Sequence, residues 1–216
     1  MTPPRIAIID YGRGNLRSVQ KGFGKVGYEA RVTRDPDVIA DATHVVLPGV
    51  GAFADCMANL EDFGLIGPIH STVESGKPFL GICVGMQLLF TEGEEFGTHK
   101  GLDILPGRVV AFPQGMTVGE GEHVERLKVP HMGWNRLHVT RQSPLFRDIH
   151  EGEWCYFVHS YHAVPEDLSV VAATSQYGVL FTASVWNDNV VATQFHPEKS
   201  DKAGLSMLKA FAEWQC

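Results

Sequence analysis

Residues 78–88, PFLGICVGMQL, are an apolar run that leads into a cysteine with a glycine two positions away on each side. The run predicts a buried strand, and residues 86–90 predict a helix directly after it. Gly81 and Gly85 supply the small residues that a sharp turn from strand to helix requires, as in the Gly-x-Ser-x-Gly elbow of hydrolases. Cys83 would stand at the tip of the turn, where the N-terminus of a helix favours the thiolate. We therefore predict that Cys83 is a nucleophile; the alternative is a buried cysteine that only packs.

A histidine and a glutamate two positions apart provide a candidate base for this thiol. The apolar segment 189–195 is predicted to be a strand, and it leads into His196-Pro197-Glu198. In an extended segment, side chains at i and i+2 point to the same side, and Pro197 disfavours a helical conformation at His196. His196 would move the proton of Cys83, and Glu198 would fix the orientation of the imidazole. A solvated turn is the alternative for this short motif.

A third segment supplies a candidate oxyanion site. Residues 45–53, VVLPGVGAF, form an apolar strand that ends in Pro-Gly-x-Gly. Glycines on both sides of Val50 allow a close approach of the backbone to a ligand and the rotation of a peptide N–H into a cavity. We predict that the Val50 amide is one oxyanion donor and that the Val84 amide, next to the nucleophile, is another. An ordinary loop after a strand is the alternative.

The pattern of apolar runs predicts an α/β fold. Strands are predicted at residues 5–9, 30–33, 44–47 and 78–83, and helices near residues 16–26, 57–63 and 86–90. This alternation is typical of a mostly parallel, doubly wound central sheet flanked by helices. Beyond residue 102 the runs shorten, at 109–113, 136–139 and 170–173, which predicts an additional antiparallel strand region in the C-terminal half. A last helix is predicted at 205–214.

Length, charge and cysteine content limit the possible classes. The 216 residues suit a single domain spanning 1–216, and the net charge of −7 comes from acidic and basic residues that are interspersed. Without a basic run we expect no nucleic-acid partner. Since we find neither a signal-peptide core nor about 18 consecutive apolar residues, we expect a cytoplasmic protein and no membrane contact. The four cysteines lack metal-ligand spacing, and Cys56, Cys155 and Cys216 are predicted to be plain thiols.

Together the segments resemble a known family. The stretch 81–87 and the His196-Pro197-Glu198 motif resemble the class I, or triad, glutamine amidotransferases. Five further blocks resemble one branch of that family, namely 10–16 (DYGRGNL), 48–53 (PGVGAF), 130–135 (PHMGWN), 156–161 (YFVHSY) and 195–200 (FHPEKS). The resemblance therefore extends over nearly the whole chain. It implies the class I amidotransferase fold and hydrolysis of L-glutamine to glutamate and ammonia, without a cofactor or a metal.

The resemblance also implies roles for residues that the pattern leaves unassigned. In this family the glutamine pocket is formed at positions that match Gly51, Gln87, Glu95, Ser160 and Tyr161. Glu95 matches the acidic residue that holds the α-amino group of glutamine, and the backbone at Ser160 and Tyr161 matches the stretch that holds its carboxylate. Ser160 replaces the more frequent threonine, which should matter little for main-chain contacts.

The partner is likewise implied by the resemblance. Ammonia would pass to a (βα)8-barrel cyclase subunit, in a heterodimer that serves histidine biosynthesis. The residues that would dock this barrel are Asn15, Met132, Trp134 and Lys199. Trp134 could instead be a core aromatic. Two other functions remain open: a glutaminase that serves a different synthase, such as the anthranilate or pyridoxal phosphate enzymes, and a glutamine-binding pseudo-enzyme.

Overall fold

An 8-stranded sheet organises the fold, with the strand order β11-β14-β15-β16-β4-β3-β1-β2. The computed structural model describes residues 3–119 and 124–215. The strands within these ranges are β1 (Ile6–Ile9), β2 (Ala30–Thr33), β3 (His44–Gly49), β4 (Phe79–Cys83), β5 (Phe90–Gly93), β6 (His99–Lys100), β7 (Leu105–Ala111), β8 (Thr117–Val118), β9 (Glu125–Arg126), β10 (His131–Arg136), β11 (His138–Val139), β12 (Trp154–His159), β13 (Tyr161–Pro165), β14 (Val171–Tyr177), β15 (Val179–Asn187) and β16 (Val190–Thr193).

Helices connect the parallel strands. In the same part of the chain they are α1 (Leu16–Lys25), α2 (Pro36–Asp41), α3 (Phe53–Asp62), α4 (Ile66–Glu74), α5 (Val84–Gln87) and α6 (Asp201–Glu213), with short 3-10 turns at Pro144–Phe146, Leu168–Val170 and Pro197–Lys199. Helix α1 buries Val19 and Phe23. Helix α6 buries Leu208 and Phe211, and Phe23 and Phe211 pack with ring centroids 6.2 Å apart.

The predicted fold class is confirmed. Strands β2, β1, β3, β4 and β16 pair in parallel, whereas β16, β15, β14 and β11 pair antiparallel. All residues of β1, β3, β4 and β16 are buried, as expected for central strands covered on both faces. The antiparallel strands of this sheet come from the C-terminal half of the chain. Strands β13, β7, β5 and β6 form a separate 4-stranded sheet, and β10 and β12 form a two-stranded ladder.

The helix after Cys83 covers residues 84–87 instead of the predicted 86–90. Helix α5 ends at Gln87, and Phe90 begins strand β5 instead of closing a helix. Leu88, Leu89 and Phe90 are completely buried. A short run that is apolar on every side has no periodicity that separates helix from strand. A helix of four residues also has little macrodipole, so it contributes little to stabilising a thiolate at Cys83.

Candidate active site

Cys83 occupies a strained position at the carboxyl end of the central strand β4. Its backbone has φ 57° and ψ −113°, a region that non-glycine residues rarely adopt. The turn is also crowded, because a Cβ on Gly85 would lie 1.8 Å from the carbonyl oxygen of Leu47 and one on Gly81 would lie 2.9 Å from the carbonyl oxygen of Gly85. The predicted elbow therefore exists, and the two flanking glycines are sterically required.

The neighbouring strands bring the other two motifs to the same edge. In parallel register, Gly49 at the end of β3 lies opposite Cys83, and Thr193 at the end of β16 lies opposite Ile82. The chain continues from β3 into Val50 and from β16 into His196. Carboxyl ends of adjacent parallel strands are the usual ligand-binding edge of an open α/β sheet. Segments at residues 49–51, 83–85 and 196–198 thus lie together at one edge of the sheet.

His196 and Glu198 form a buried hydrogen-bonded pair. His196 Nδ1 lies 2.9 Å from Glu198 Oε1, and the side chains are 3% and 0% exposed. The pairing of His196 with Glu198 was predicted correctly but for the wrong reason. His196 is extended, whereas Glu198 lies in the 3-10 turn that follows, so the two residues do not belong to one extended segment. The turn is anchored by Ser200, whose Oγ donates to His196 O at 2.7 Å and accepts from Tyr156 N at 3.0 Å.

The electrostatics favour a protonated His196. Burial lowers the pKa of this imidazole, but the charge and hydrogen bonding of Cys83, together with the hydrogen bond that Nδ1 donates to Glu198, outweigh the burial and raise the pKa to about 10. His196 Nε2 and Glu198 Oε2 are buried without a hydrogen-bond partner among the described residues. The Cys83 thiol nevertheless lies close enough to the imidazole to raise its pKa. Such an arrangement suits an imidazolium paired with a thiolate.

The other described cysteines lack this environment. Burial raises the pKa of Cys56 to about 11 and that of Cys155 to about 12. Both are free thiols, and raised pKa values keep them protonated at neutral pH. Cys216 lies outside the described residues. Within the ranges 3–119 and 124–215, His, Cys, Asp and Glu side chains nowhere group in threes that could ligate a metal ion.

The segment predicted to carry the oxyanion donors lies beside the thiol. Gly51 has φ +107°, a conformation that favours glycine, whereas Val50 is 39% exposed. Cys56 Sγ donates to the Val50 carbonyl oxygen at 3.6 Å. The Tyr11 hydroxyl is fully buried beside Gly49 and has no hydrogen-bond partner in the described structure. A Cβ added to Gly49 would lie 2.7 Å from this hydroxyl. Val84, which follows the nucleophile, is 7% exposed.

The residues assigned to the glutamine pocket lie on both sides of Cys83. Gln87 Nε2 donates to the Tyr161 carbonyl oxygen at 3.0 Å. Glu95 Oε2 accepts from the backbone N–H of Phe53 at 2.6 Å, at the start of helix α3. Burial, and after it the charge of Glu95, raises the pKa of Tyr161, so these two side chains lie within electrostatic range. The carbonyl of Ser160 accepts from Phe112 N at 3.0 Å.

Gln194 is a site residue that the sequence analysis missed. Its Nε2 donates to Cys83 Sγ at 3.8 Å, and its Oε1 accepts from Gln87 Nε2 at 3.0 Å. The side chain is completely buried. Gln194 stands two positions before His196 near the end of the same strand, and this i, i+2 spacing is the signal that could have identified it.

The four residues assigned to docking differ in exposure. Met132 and Trp134 on β10 are 63% and 50% exposed, so Trp134 is not a core aromatic. The Trp134 and Tyr156 rings are 6.0 Å apart, and Lys199 Nζ lies 5.7 Å from the Tyr156 ring centroid. Met132, Trp134, Tyr156 and Lys199 therefore form one surface, here called the docking face. Asn15 precedes α1 and is half-buried.

Comparisons with known proteins agree on one family. The family described as "Glutamine amidotransferase class-I" matches residues 7–214. A protein from Syntrophotalea carbinolica named "Imidazole glycerol phosphate synthase subunit HisH" is 64% identical over 96% of this chain and 99% of its own length. A protein of the same name from Geobacter sulfurreducens is 60% identical over 97% of this chain and 98% of its own.

Solved structures agree on the fold. The structure titled "Structure of PurLQS from Thermotoga maritima" has a TM-score of 0.73 at 20% identity, covering 97% of this chain and 98% of its own. A likeness at that identity concerns the fold alone.

Proposed function

Because the chain belongs to the class I glutamine amidotransferase family, we propose that it is the glutaminase subunit of imidazole glycerol phosphate synthase. It hydrolyses L-glutamine to glutamate and ammonia, and the ammonia serves histidine biosynthesis. The observation that carries the proposal is the convergence of Cys83, His196 and Glu198 at one edge of the sheet, in a chain 64% identical to a protein of that name. The sequence-based resemblance to this family is thereby confirmed.

The chemistry follows from the geometry of the triad. The Cys83 thiolate attacks the side-chain carbonyl of glutamine, and a tetrahedral intermediate forms. His196 donates a proton to the leaving nitrogen, so that ammonia departs and a thioester remains. Water, deprotonated by His196, then attacks the thioester, and glutamate leaves as the thiol is restored. Glu198 accepts from Nδ1 of His196 and thereby directs Nε2 toward the reaction.

Backbone amides would stabilise the negative charge of the intermediate. Val50 and Val84 are the donors that the position of the two segments supports, and one such donor contributes about 10²–10³ in rate. Gly51, Gln87, Glu95, Ser160 and Tyr161 would bind the substrate. The contacts of Glu95 with the Phe53 N–H and of Gln87 with the Tyr161 carbonyl support this pocket, since they join its two sides.

The partner we propose is a (βα)8-barrel cyclase subunit that uses the ammonia. The docking face and Asn15 would contact it. A subunit name in the relatives supports a partner, and the exposure of Met132 and Trp134 supports the surface. We also propose a single domain over 1–216 and a cytoplasmic location. In the described ranges, no helix is both long and apolar enough to cross a bilayer.

A Cys83→Ala variant tests the reaction. In the complex with the cyclase subunit we expect it to lose glutamine hydrolysis and to retain synthesis from added ammonium salt, because the thiol serves only ammonia release. Glutamate formation and cyclase product are measured side by side. Wild-type turnover in the variant would make Cys83 a structural residue.

Mixing the wild-type chain with several synthase subunits tests the partner. The cyclase should raise glutamine turnover, while anthranilate or pyridoxal phosphate synthase subunits should not. Stimulation by one of these instead would identify the rival glutaminase. Absence of turnover with every subunit would favour a glutamine-binding pseudo-enzyme.

A further inference from the structure

Two buried histidines face each other across the ladder that carries the docking face. His131 of β10 and His159 of β12 are directly opposite in register, and His131 Nδ1 lies 3.0 Å from His159 Nε2. The two residues are only 3% and 6% exposed. Neither belongs to the triad. A hydrogen bond between two buried imidazoles demands a defined position for each proton.

The direction of each hydrogen bond follows from its last acceptor. His159 Nδ1 lies 2.8 Å from the carbonyl oxygen of Tyr161, and a carbonyl can only accept, so the proton of His159 is on Nδ1. Burial lowers the pKa of His159 to about 3 and that of His131 to about 4, so both rings are neutral at neutral pH. His159 Nε2 therefore accepts, and His131 Nδ1 donates to it. His131 Nε2 then accepts from Asn135 Nδ2, at 3.3 Å.

This chain of bonds ends at the glutamine pocket. The Tyr161 carbonyl that accepts from His159 also accepts from Gln87 Nε2 at 3.0 Å. Gln87 in turn donates to Gln194 Oε1, and Gln194 donates to Cys83 Sγ. At its other end the chain begins on β10, the strand that exposes Met132 and Trp134. A continuous set of polar contacts thus joins β10, here called the docking strand, to the nucleophile Cys83.

Aromatic rings hold the two imidazoles in place. Tyr177 stacks on His131 with a centroid distance of 4.0 Å, and Phe157 stacks on it at 5.0 Å. Phe112 and Phe181 each lie 5.1 Å from the His159 ring. Close packing on both rings restricts their rotation. A displacement of β10 would therefore move the two imidazoles and, through them, the Tyr161 carbonyl.

We propose that His131 and His159 are positioning residues that fix the Ser160–Tyr161 main chain of the glutamine pocket and couple it to the docking strand. The inference rests on the proposed glutaminase function. Neither histidine contacts the reacting atoms. Their role is to set the place of the Tyr161 carbonyl, and hence of the adjoining backbone that would bind the glutamine carboxylate.

Substitutions at His131 separate positioning from mere packing. His131→Leu removes the donor to His159, whereas His131→Asn keeps a side-chain N–H close to the position of Nδ1. In the complex with the cyclase subunit we expect His131→Leu to raise the KM for glutamine about 2- to 10-fold, the value of one hydrogen bond, with kcat within about twofold. His131→Asn should restore most of the wild-type KM. A purely structural role would lower the active fraction, and thus kcat, without changing KM.

The matched control is His162, a buried histidine of the same aromatic cluster. Its Nδ1 lies 3.4 Å from the Ala163 carbonyl, and it has no contact with the His131–His159 pair through hydrogen bonds. His162→Leu should leave KM unchanged. Equal KM values for His131→Leu and wild type, or equal increases for His131→Leu and His162→Leu, would overturn the proposal. Absence of glutaminase in the wild-type complex would overturn the function instead.

A measurement on the wild-type protein covers variants that do not fold. Long-range ¹H–¹⁵N spectra at pH 7 should show His131 and His159 neutral, each with its proton on Nδ1. Adding glutamine to Cys83→Ala should shift the His159 resonances and leave those of His162 in place. A proton on His159 Nε2, or no shift on saturation with glutamine, contradicts the proposal independently of turnover.

Discussion

Gly49 and Cys83 lie opposite each other, in register, at the carboxyl ends of adjacent parallel strands. A Cβ on Gly49 would lie 2.7 Å from Gly85 N and 2.9 Å from Val84 Cβ, so this contact leaves no room for a side chain at Gly49. This contact brings the segment with the proposed oxyanion donor against the nucleophile.

Gly85→Ala should disrupt the elbow. The added methyl would overlap the Leu47 carbonyl oxygen, which β3 holds in the sheet. We therefore expect the free energy of unfolding to fall by about 3 kcal/mol and glutaminase activity to be lost. Denaturant titration measures the loss. Gly24→Ala is the matched control, because a Cβ there has nothing within 4 Å and helix α1 should gain about 0.5–1 kcal/mol. Equal stability of the two variants would contradict the steric argument.

Glu198→Gln should weaken the ion pair at the nucleophile. The carboxylate helps to raise the pKa of His196, so its removal lowers that pKa and disfavours the imidazolium. We expect alkylation of Cys83 by iodoacetamide to slow at pH 7 and to recover only at higher pH. Cys83→Ala supplies the background from the other thiols. An unchanged alkylation profile would show that Glu198 does not govern the protonation of His196.

Val50→Pro should abolish partner-stimulated hydrolysis. Proline has no N–H, so the variant loses one proposed oxyanion donor and about 10²–10³ in turnover, while it still binds the cyclase subunit. We further expect the free wild-type subunit to be nearly inactive, with the Val50 N–H turned away until the occupied partner shifts the equilibrium. Val50→Ala keeps the N–H and is the control. Full activity of the free subunit, or stimulation of Val50→Pro, would refute this regulation.

Trp134→Ala and Lys199→Glu should weaken the complex. Exposed tryptophans are frequent hot spots, so we expect affinity for the cyclase subunit to fall about 30-fold for Trp134→Ala, and coupling of ammonia release to synthesis to fall with it. Thermal unfolding of the free chain should hardly change. Leu168→Ala, at a residue that is 74% exposed, is the surface control. Calorimetric titration decides, and unchanged affinity for both variants would remove the docking face from the interface.

The central strands and the elbow could be predicted because their signals are local. Strand β2 spans the predicted residues 30–33, and β3 and β4 differ from their predicted ranges by at most two positions. Helices α2 and α4 were missed, although Pro36 at the first position of α2 is a common start signal. The end of the helix after Cys83 was predicted too late, because Leu88, Leu89 and Phe90 form an apolar run that fits a helix or a strand equally well.

The contacts of His131, His159 and Gln194 join residues that are far apart in the sequence. The pairing of His131 with His159 depends on a ladder between strands about 28 positions apart, and no short-range pattern specifies that register. Gln194 reaches Cys83 across 111 positions. The docking residues were implied by the resemblance alone. No sequence pattern shows that Trp134 and Lys199 both lie against Tyr156 and so share one surface.

The burial of Cys83 has a consequence for the durability of the protein. A nucleophilic thiolate is the form of cysteine that peroxide converts to sulfenic acid, and exposure governs how fast this occurs. Cys83 is only 3% exposed, under a cover formed in part by Gln194 and the Val158 carbonyl. We therefore expect peroxide to oxidise Cys83 more slowly in the resting subunit than it would oxidise an exposed thiolate.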